Sequence, residues 1–215
     1  MKNVLNQQTD VYTGDSIPQI QDIAEIAPIL KPSQVDDLVE KVAPTAISLA
    51  DLTSLAPFIG KEALGHLAMT AMDTGDIHAL CDIAPFLDQQ HVDQIALKIE
   101  VTEGIGALED LAPFISTETL GEIAIKAYDA GGIQDICDIA PFLSKKCVNQ
   151  LALKVEEAEG IDAIENLAPF IGKKTLSEIA MKAISNGNIK GLEGIAPFLD
   201  GEMLGQLVLN ASMVN

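Results

Sequence analysis

The sequence predicts an all-α fold, a right-handed αα-superhelix (solenoid) of about seven two-helix repeats of 28 residues. Three observations predict it. The string Leu55-Ala56-Pro57-Phe58-Ile59 returns as Ile83-Ala84-Pro85-Phe86-Leu87, then from Leu111, Ile139, Leu167 and Ile195, so the prolines from Pro57 to Pro197 recur every 28 residues. The apolar residues between the strings keep helical spacing, and no segment alternates with the period of two that marks a strand. The chain is 48% hydrophobic, too apolar for a disordered polymer. All six phenylalanines occupy the same place in the string, and a divergent copy, Ile26-Ala27-Pro28-Ile29-Leu30, lies one spacing earlier with one extra residue.

Each repeat reads as two helices. The first opens after the string at Gly60, Asp88, Ser116, Ser144, Gly172 or Asp200, all good N-cap residues. A wide apolar stripe follows, as in Val92, Ile95, Ala96, Leu97 and Ile99, then Leu120, Ile123, Ala124, Ile125 and Ala127. Such width suits a helix packed on more than one side, and the alanines permit close approach. The helix is expected to stop near Gly75, Gly104, Gly132, Gly160 or Gly187, where glycine accepts the left-handed turn.

The second helix is shorter. Ile105, Leu108, Leu111 and Ala112 carry its apolar face, as do Ile133, Ile136, Ile139 and Ala140 in the next repeat. Its proline removes a hydrogen bond and biases the preceding alanine away from helical geometry, so the helix is expected to end or kink at Ala-Pro. The phenylalanine is expected to plug the gap between adjacent repeats as a core residue. Residues 1–22 are polar and read as a disordered N-terminal arm, leaving 23–215 as a single solenoid domain whose first repeat, with Pro28, Pro32 and Pro44, is a cap.

A longer period overlies the short one. Residues 55–110 match 111–166 at 31 of 56 positions, with Gly65 and Gly121, Cys81 and Cys137, and Gln94 and Gln150 in register. Duplication of a pair of repeats accounts for this, in preference to a two-repeat binding surface.

The 215 residues carry 32 acids against 13 bases, all lysine, for a net charge of −19. That sign excludes a basic patch for nucleic-acid phosphates. No apolar run reaches the roughly 18 residues of a membrane span, and the polar first residues lack a signal-peptide core, so a cytoplasmic protein is expected. Three cysteines are not a disulfide framework.

The charges are ordered. Lys98, Lys126, Lys154 and Lys182 share one position of the first helix, with Glu122–Lys126 and Glu178–Lys182 spaced as favourable i,i+4 pairs on a solvated face. The second helix carries Asp82, Asp110 and Asp138 at one position, with Glu109, Glu165 and Glu193 just before it. Stacking would line these six carboxylates into an acidic stripe, the candidate binding site for a basic partner. A carboxylate ladder holds divalent cations only loosely, and no EF-hand loop is present.

Catalytic constellations are poor. His66, His78 and His91 are matched in later repeats by unrelated residues and read as surface positions. His78, Cys81 and His91 fall short of the four ordered ligands of a zinc site. Cys81 and Cys137 lie two repeats apart, too far for a disulfide, whereas Cys137 and Cys147 fall on neighbouring helices and stay open as a pair. With no phosphate loop, nucleophile elbow or HExxH, no enzyme and no cofactor are expected.

Gly75-Asp76-Ile77-His78-Ala79-Leu80, a turn leading into a helix with an Ala-Leu pair, together with the stacking pattern, resembles the HEAT-like family of αα-hairpin solenoids over roughly residues 23–212. The family's Asp…Val-Arg signature is missing and the repeats are shorter. The resemblance implies a scaffold for protein–protein contacts. The order Val92…Ile95-Ala96…Gly104…Ala107-Leu108…Leu111…Pro113 also looks a little like TAL-effector DNA-binding repeats, but Glu103, Glu109 and Asp110 stand where those place phosphate-facing lysine and glutamine. The expectation is therefore a non-enzymatic interaction scaffold with a protein partner, no nucleic acid and no membrane. The alternative is a self-assembling element joined through a last repeat that carries Leu204, Leu207, Val208 and Ala211 and then stops.

Overall fold

A computed structural model describes residues 19–42, 47–72, 78–131, 133–188, 190–205 and 209. Among these every regular element is helical and no strand occurs. The readings that fall on residues 1–18, Pro44, Gly75 to Ile77, Gly132, Leu207, Val208 and Ala211 lie outside the described residues. Helix α1 begins at Ile20, within the stretch read as an arm. The chain divides into two compact units, Met1–Leu87 and Asp88–Asn215.

In the first unit, α1 (Ile20–Ile26), α3 (Leu49–Leu55) and α5 (His78–Ile83) stand in one row, α3 touching both of the others. Helix α2 (Pro32–Val39) packs on α1, and α4 (Lys61–Ala71) on α3. The second unit repeats this arrangement. Helices α6 (Gln89–Glu103), α7 (Thr117–Asp129), α9 (Lys145–Glu159) and α10 (Lys173–Ser185) touch in chain order. Beside them runs a second row: the 3-10 helix Ile105–Leu108, α8 (Ile133–Ile139), the 3-10 helix Ile161–Phe170 and the 3-10 turn Lys190–Leu192.

The core lies between the two rows of each unit and follows the repeat. Ala68, Ala96, Ala124, Ala152 and Ala180 are all fully buried, small residues at one position that let the first helices close on their neighbours. Leu52, Leu80, Leu108, Ile136 and Ile164 hold the matching position of the second row with no exposed surface. Complete burial of each is worth about 1.5–3 kcal/mol.

The expected N-caps are realised. Asp88, Ser116 and Ser144 side chains accept first-turn N–H groups at 2.9, 3.2 and 3.2 Å, and Asp200 accepts that of Met203 at 2.8 Å. In three repeats the second element ends at Ala-Pro as expected, whereas the 3-10 helix Ile161–Phe170 runs on through Pro169. Helices α1, α5 and α8 stop one residue before Ala-Pro, and Ala-Pro-Phe or Ala-Pro-Ile winds on as a 3-10 turn. Proline sits in its first two positions, where the missing N–H leaves no bond unmade. The alanine does not leave helical geometry: Ala27 and Ala56 keep φ/ψ of −53/−37° and −49/−38°.

The second element is an α-helix only in some repeats, and it is the length of the first helix that follows the 56-residue period. Helices α6 and α9 each run 15 residues and turn at one glycine, Gly104 or Gly160, with φ 87° and 93°. A 3-10 segment follows at once. Helices α7 and α10 stop after 13 residues, at Ala130-Gly131 and Asn186-Gly187. Gly131 has a φ of 98°.

The same period sets the joints between first helices. At α6/α7, Asp93 accepts the Ser116 N–H (2.8 Å), Gln89 donates to the Phe114 carbonyl (2.9 Å) and Lys126 pairs with Glu100 (2.8 Å). At α9/α10 the equivalents are Asn149 with the Gly172 N–H (2.7 Å), Lys145 with the Phe170 carbonyl (3.0 Å) and Lys182 with Glu156 (2.6 Å). The α7/α9 joint differs: Cys147 Sγ donates to the Gly121 carbonyl (3.7 Å), Tyr128 donates to Glu159 (3.1 Å) and Lys154 pairs with Asp129. The lysines thus bridge to the preceding helix, in place of the i,i+4 partners Glu122 and Glu178 that spacing suggested.

Candidate functional site

The exposed side of the second row is built from one pattern. In α8 and its 3-10 turn, Ile136, Ile139, Ala140 and Leu143 are buried, while Gln134, Asp135, Asp138, Pro141 and Phe142 face solvent. The backbone stays right-handed helical through Ile139 at φ/ψ −93/−5°, so the exposed residues fall on one stripe. The neighbouring repeats copy it. Glu109, Asp110 and Pro113 are exposed ahead of a half-buried Phe114; Asp162, Glu165, Asn166 and Pro169 precede a half-buried Phe170; Glu193 and Pro197 precede an exposed Phe198.

All six carboxylates of the expected acidic stripe are solvent-exposed. Asp82 lies in α5 of the first unit. In the second unit Glu109 and Asp110 sit between the 3-10 helix Ile105–Leu108 and the 3-10 turn Ala112–Phe114, Asp138 in α8, Glu165 in the 3-10 helix Ile161–Phe170, and Glu193 just after the 3-10 turn Lys190–Leu192. Neighbouring segments meet side by side. The Glu165 side chain lies against Gly194, its Cδ 2.8 Å from where a Cβ there would stand, which sets it beside the segment bearing Glu193. Asp135 approaches Gly106 in the same way, at 3.5 Å. Small residues on one segment thus make room for the carboxylates of the next.

The phenylalanines are not the core plugs that the sequence suggested. Phe86, Phe142 and Phe198 are 36%, 37% and 39% exposed, and Phe58, Phe114 and Phe170 are half-buried. The residue after each phenylalanine fills the gap instead: Ile59, Leu87, Ile115, Leu143, Ile171 and Leu199 are all buried. The signal was present in the spacing. The buried set Leu108, Leu111, Ala112 continues at helical intervals to Ile115, and Phe114 falls off it.

His91 is buried against Asp88, its Nδ1 2.9 Å from Oδ1, which corrects its reading as a surface residue. His66 and His78 are exposed. Among the described residues no three His, Cys, Asp or Glu side chains converge on a metal position. All three cysteines are free, which closes the question of a Cys137–Cys147 bridge. Burial, reinforced by the charge of Asp138, pushes the Cys137 thiol up, and burial alone does the same for Cys147, so neither is an activated nucleophile. An open hollow of about 480 Å³, lined by Lys174, Ser177, Glu178, Met181 and Met203, is chiefly apolar. No helix among the described residues is long and apolar enough to cross a membrane.

No family model matches the chain, and no curated protein is similar to it.

Proposed function

We propose that this protein is an α-solenoid that works as a non-enzymatic protein–protein interaction scaffold, with its repeated acidic face turned to a basic partner. The observation that carries the reading is the recurrence of one outward stripe, carboxylates followed by Pro-Phe, on successive segments whose buried sides are spent on one another. Among the described residues the main contacts within each unit join neighbouring repeats, which fits a stack of HEAT-like two-helix repeats, about seven in number. Several equivalent weak sites carried on one chain add by multivalency, so no single deep pocket is needed. Three free thiols fit a reducing compartment, and we place the protein in the cytoplasm.

The test is co-purification followed by charge neutralisation. A basic or amphipathic protein is expected to be recovered, and Asp110→Asn, Asp138→Asn and Glu165→Gln together weaken its binding. Unchanged binding by the triple variant overturns the acidic-face reading.

A second reading is assembly of copies through the C-terminal end. It is favoured by Leu204 and Leu209, 37% and 62% exposed, and by the apolar hollow that Met181 and Met203 line. Sedimentation over a range of concentrations decides it: self-association that Leu204→Ser abolishes supports assembly, and a strict monomer removes it.

A further inference from the structure

We propose that the Pro-Phe pairs of the second unit are the anchoring points of the acidic face, and that the segment they hold is a basic amphipathic helix of the partner. The inference rests on the scaffold reading and names the chemistry of its partner. Three features of the stripe select that occupant.

First, the stripe is mixed. Asp138 stands four residues before Phe142 on one helical face, and Asp110 four before Phe114, while Glu165 and Glu193 stand five before Phe170 and Phe198, so every aromatic follows a carboxylate within about one and a half turns. A complementary surface carries apolar side chains with Lys or Arg one turn from them. The net charge of −19 repels an acidic segment and attracts a basic one.

Second, the exposed face offers side chains and no main-chain pairing. Its segments are helical, and each proline lacks an N–H. An extended peptide gains its affinity from the open edge of a sheet, and the described residues contain no strand. A partner docking here must satisfy its own backbone, and a helix does so.

Third, the intervals agree. Packed helical segments lie about 8–10 Å apart. A helix advances about 10.5 Å in seven residues, so apolar residues one heptad apart meet the aromatic rings of successive segments. Where Phe142 and Phe198 are exposed beyond their neighbours, the anchors are strongest.

The chain contains no tryptophan, so Phe142→Trp introduces a single reporter that preserves an aromatic at the anchor. The probes are two synthetic peptides of identical Lys/Leu composition, one with leucines at heptad positions and one scrambled to lose the apolar face. The full chain carrying the reporter is titrated with each. The heptad peptide is expected to shift the tryptophan emission to the blue and to bind about tenfold more tightly than the scramble, and Phe198→Ser is expected to remove most of that advantage. Equal binding of the two peptides with no emission shift overturns the aromatic anchor. If that equal binding is still lost on neutralising Asp110, Asp138 and Glu165, the acidic-face reading survives while the anchor fails. Absence of binding by both peptides overturns the helix proposal, leaving the scaffold reading to the co-purification test.

Discussion

Gly160 shows how much one residue decides. Its φ/ψ of 93/175° is closed to residues with a Cβ, yet no atom lies within 4 Å of where a Cβ would stand. Gly160→Ala is therefore expected to cost about 1–3 kcal/mol through backbone strain alone, measured by denaturant unfolding. A cost near zero would mean that α9 can end without this turn. Asp88 makes a second residue-scale prediction. The backbone N–H of His91 holds its carboxyl below the usual aspartate range, assisted by the His91 ring. A group depressed in the folded state stabilises fully above its unfolded value and loses that contribution as pH falls through the folded one. Asp88→Asn is thus expected to lower stability at neutral pH, where the carboxylate contributes fully, and to flatten the acid limb of the profile below about pH 4, where the two proteins converge. The phenylalanines mark the limit of reading one residue at a time. Hydrophobicity assigned them to the core, whereas the register of Leu111, Ala112 and Ile115 assigns the core to the next residue. Accordingly, Ile136→Ala is expected to cost about 2–5 kcal/mol, and Phe142→Ala clearly less, since its ring is already partly in water. Equal losses would return Phe142 to the core.

At the scale of elements, caps, stripes and the proline stop were legible because each depends on a few neighbouring residues. Gly60, Asp88, Ser116, Ser144 and Gly172 all open helices where the string ends. The winding of the second element was not legible. Gly104-Ile105 and Gly131-Gly132-Ile133 differ by one residue, yet one leads into a 3-10 segment and the other into α8. Local sequence does not decide it: α7 and α10 both stop after 13 residues, yet α8 follows the one and the 3-10 turn Lys190–Leu192 the other. The joints were hidden for the same reason. Asp93 and Asn149 look like ordinary surface residues until they meet the first N–H of the following helix. Asn149→Ala leaves the Gly172 N–H without that acceptor. It is expected to cost about 1 kcal/mol and to speed amide exchange at Gly172, while the amides of α7 stay as they were. Unchanged exchange at Gly172 would show that water replaces the side chain without loss.

For the molecule as a whole, the 56-residue period finds its physical content inside the joints. The α6/α7 and α9/α10 joints share three equivalent ties, and the α7/α9 joint uses a thiol, a tyrosine and a lysine instead. That fits duplication of a pair of repeats carrying its own internal joint. The outward stripe, by contrast, keeps the 28-residue spacing. Its acidic half was visible in the sequence, because charge aligned by a repeat needs only a register. Its aromatic half needed the burial of the residue beside it. We propose that these stripes act together on one basic partner. The most direct measurement is the partner's affinity for variants with one, two and three of Asp110, Asp138 and Glu165 neutralised, at low and at physiological salt. A stepwise loss with each substitution, shrinking as salt rises, is the predicted result. An affinity that does not change with the number of carboxylates removed would contradict it.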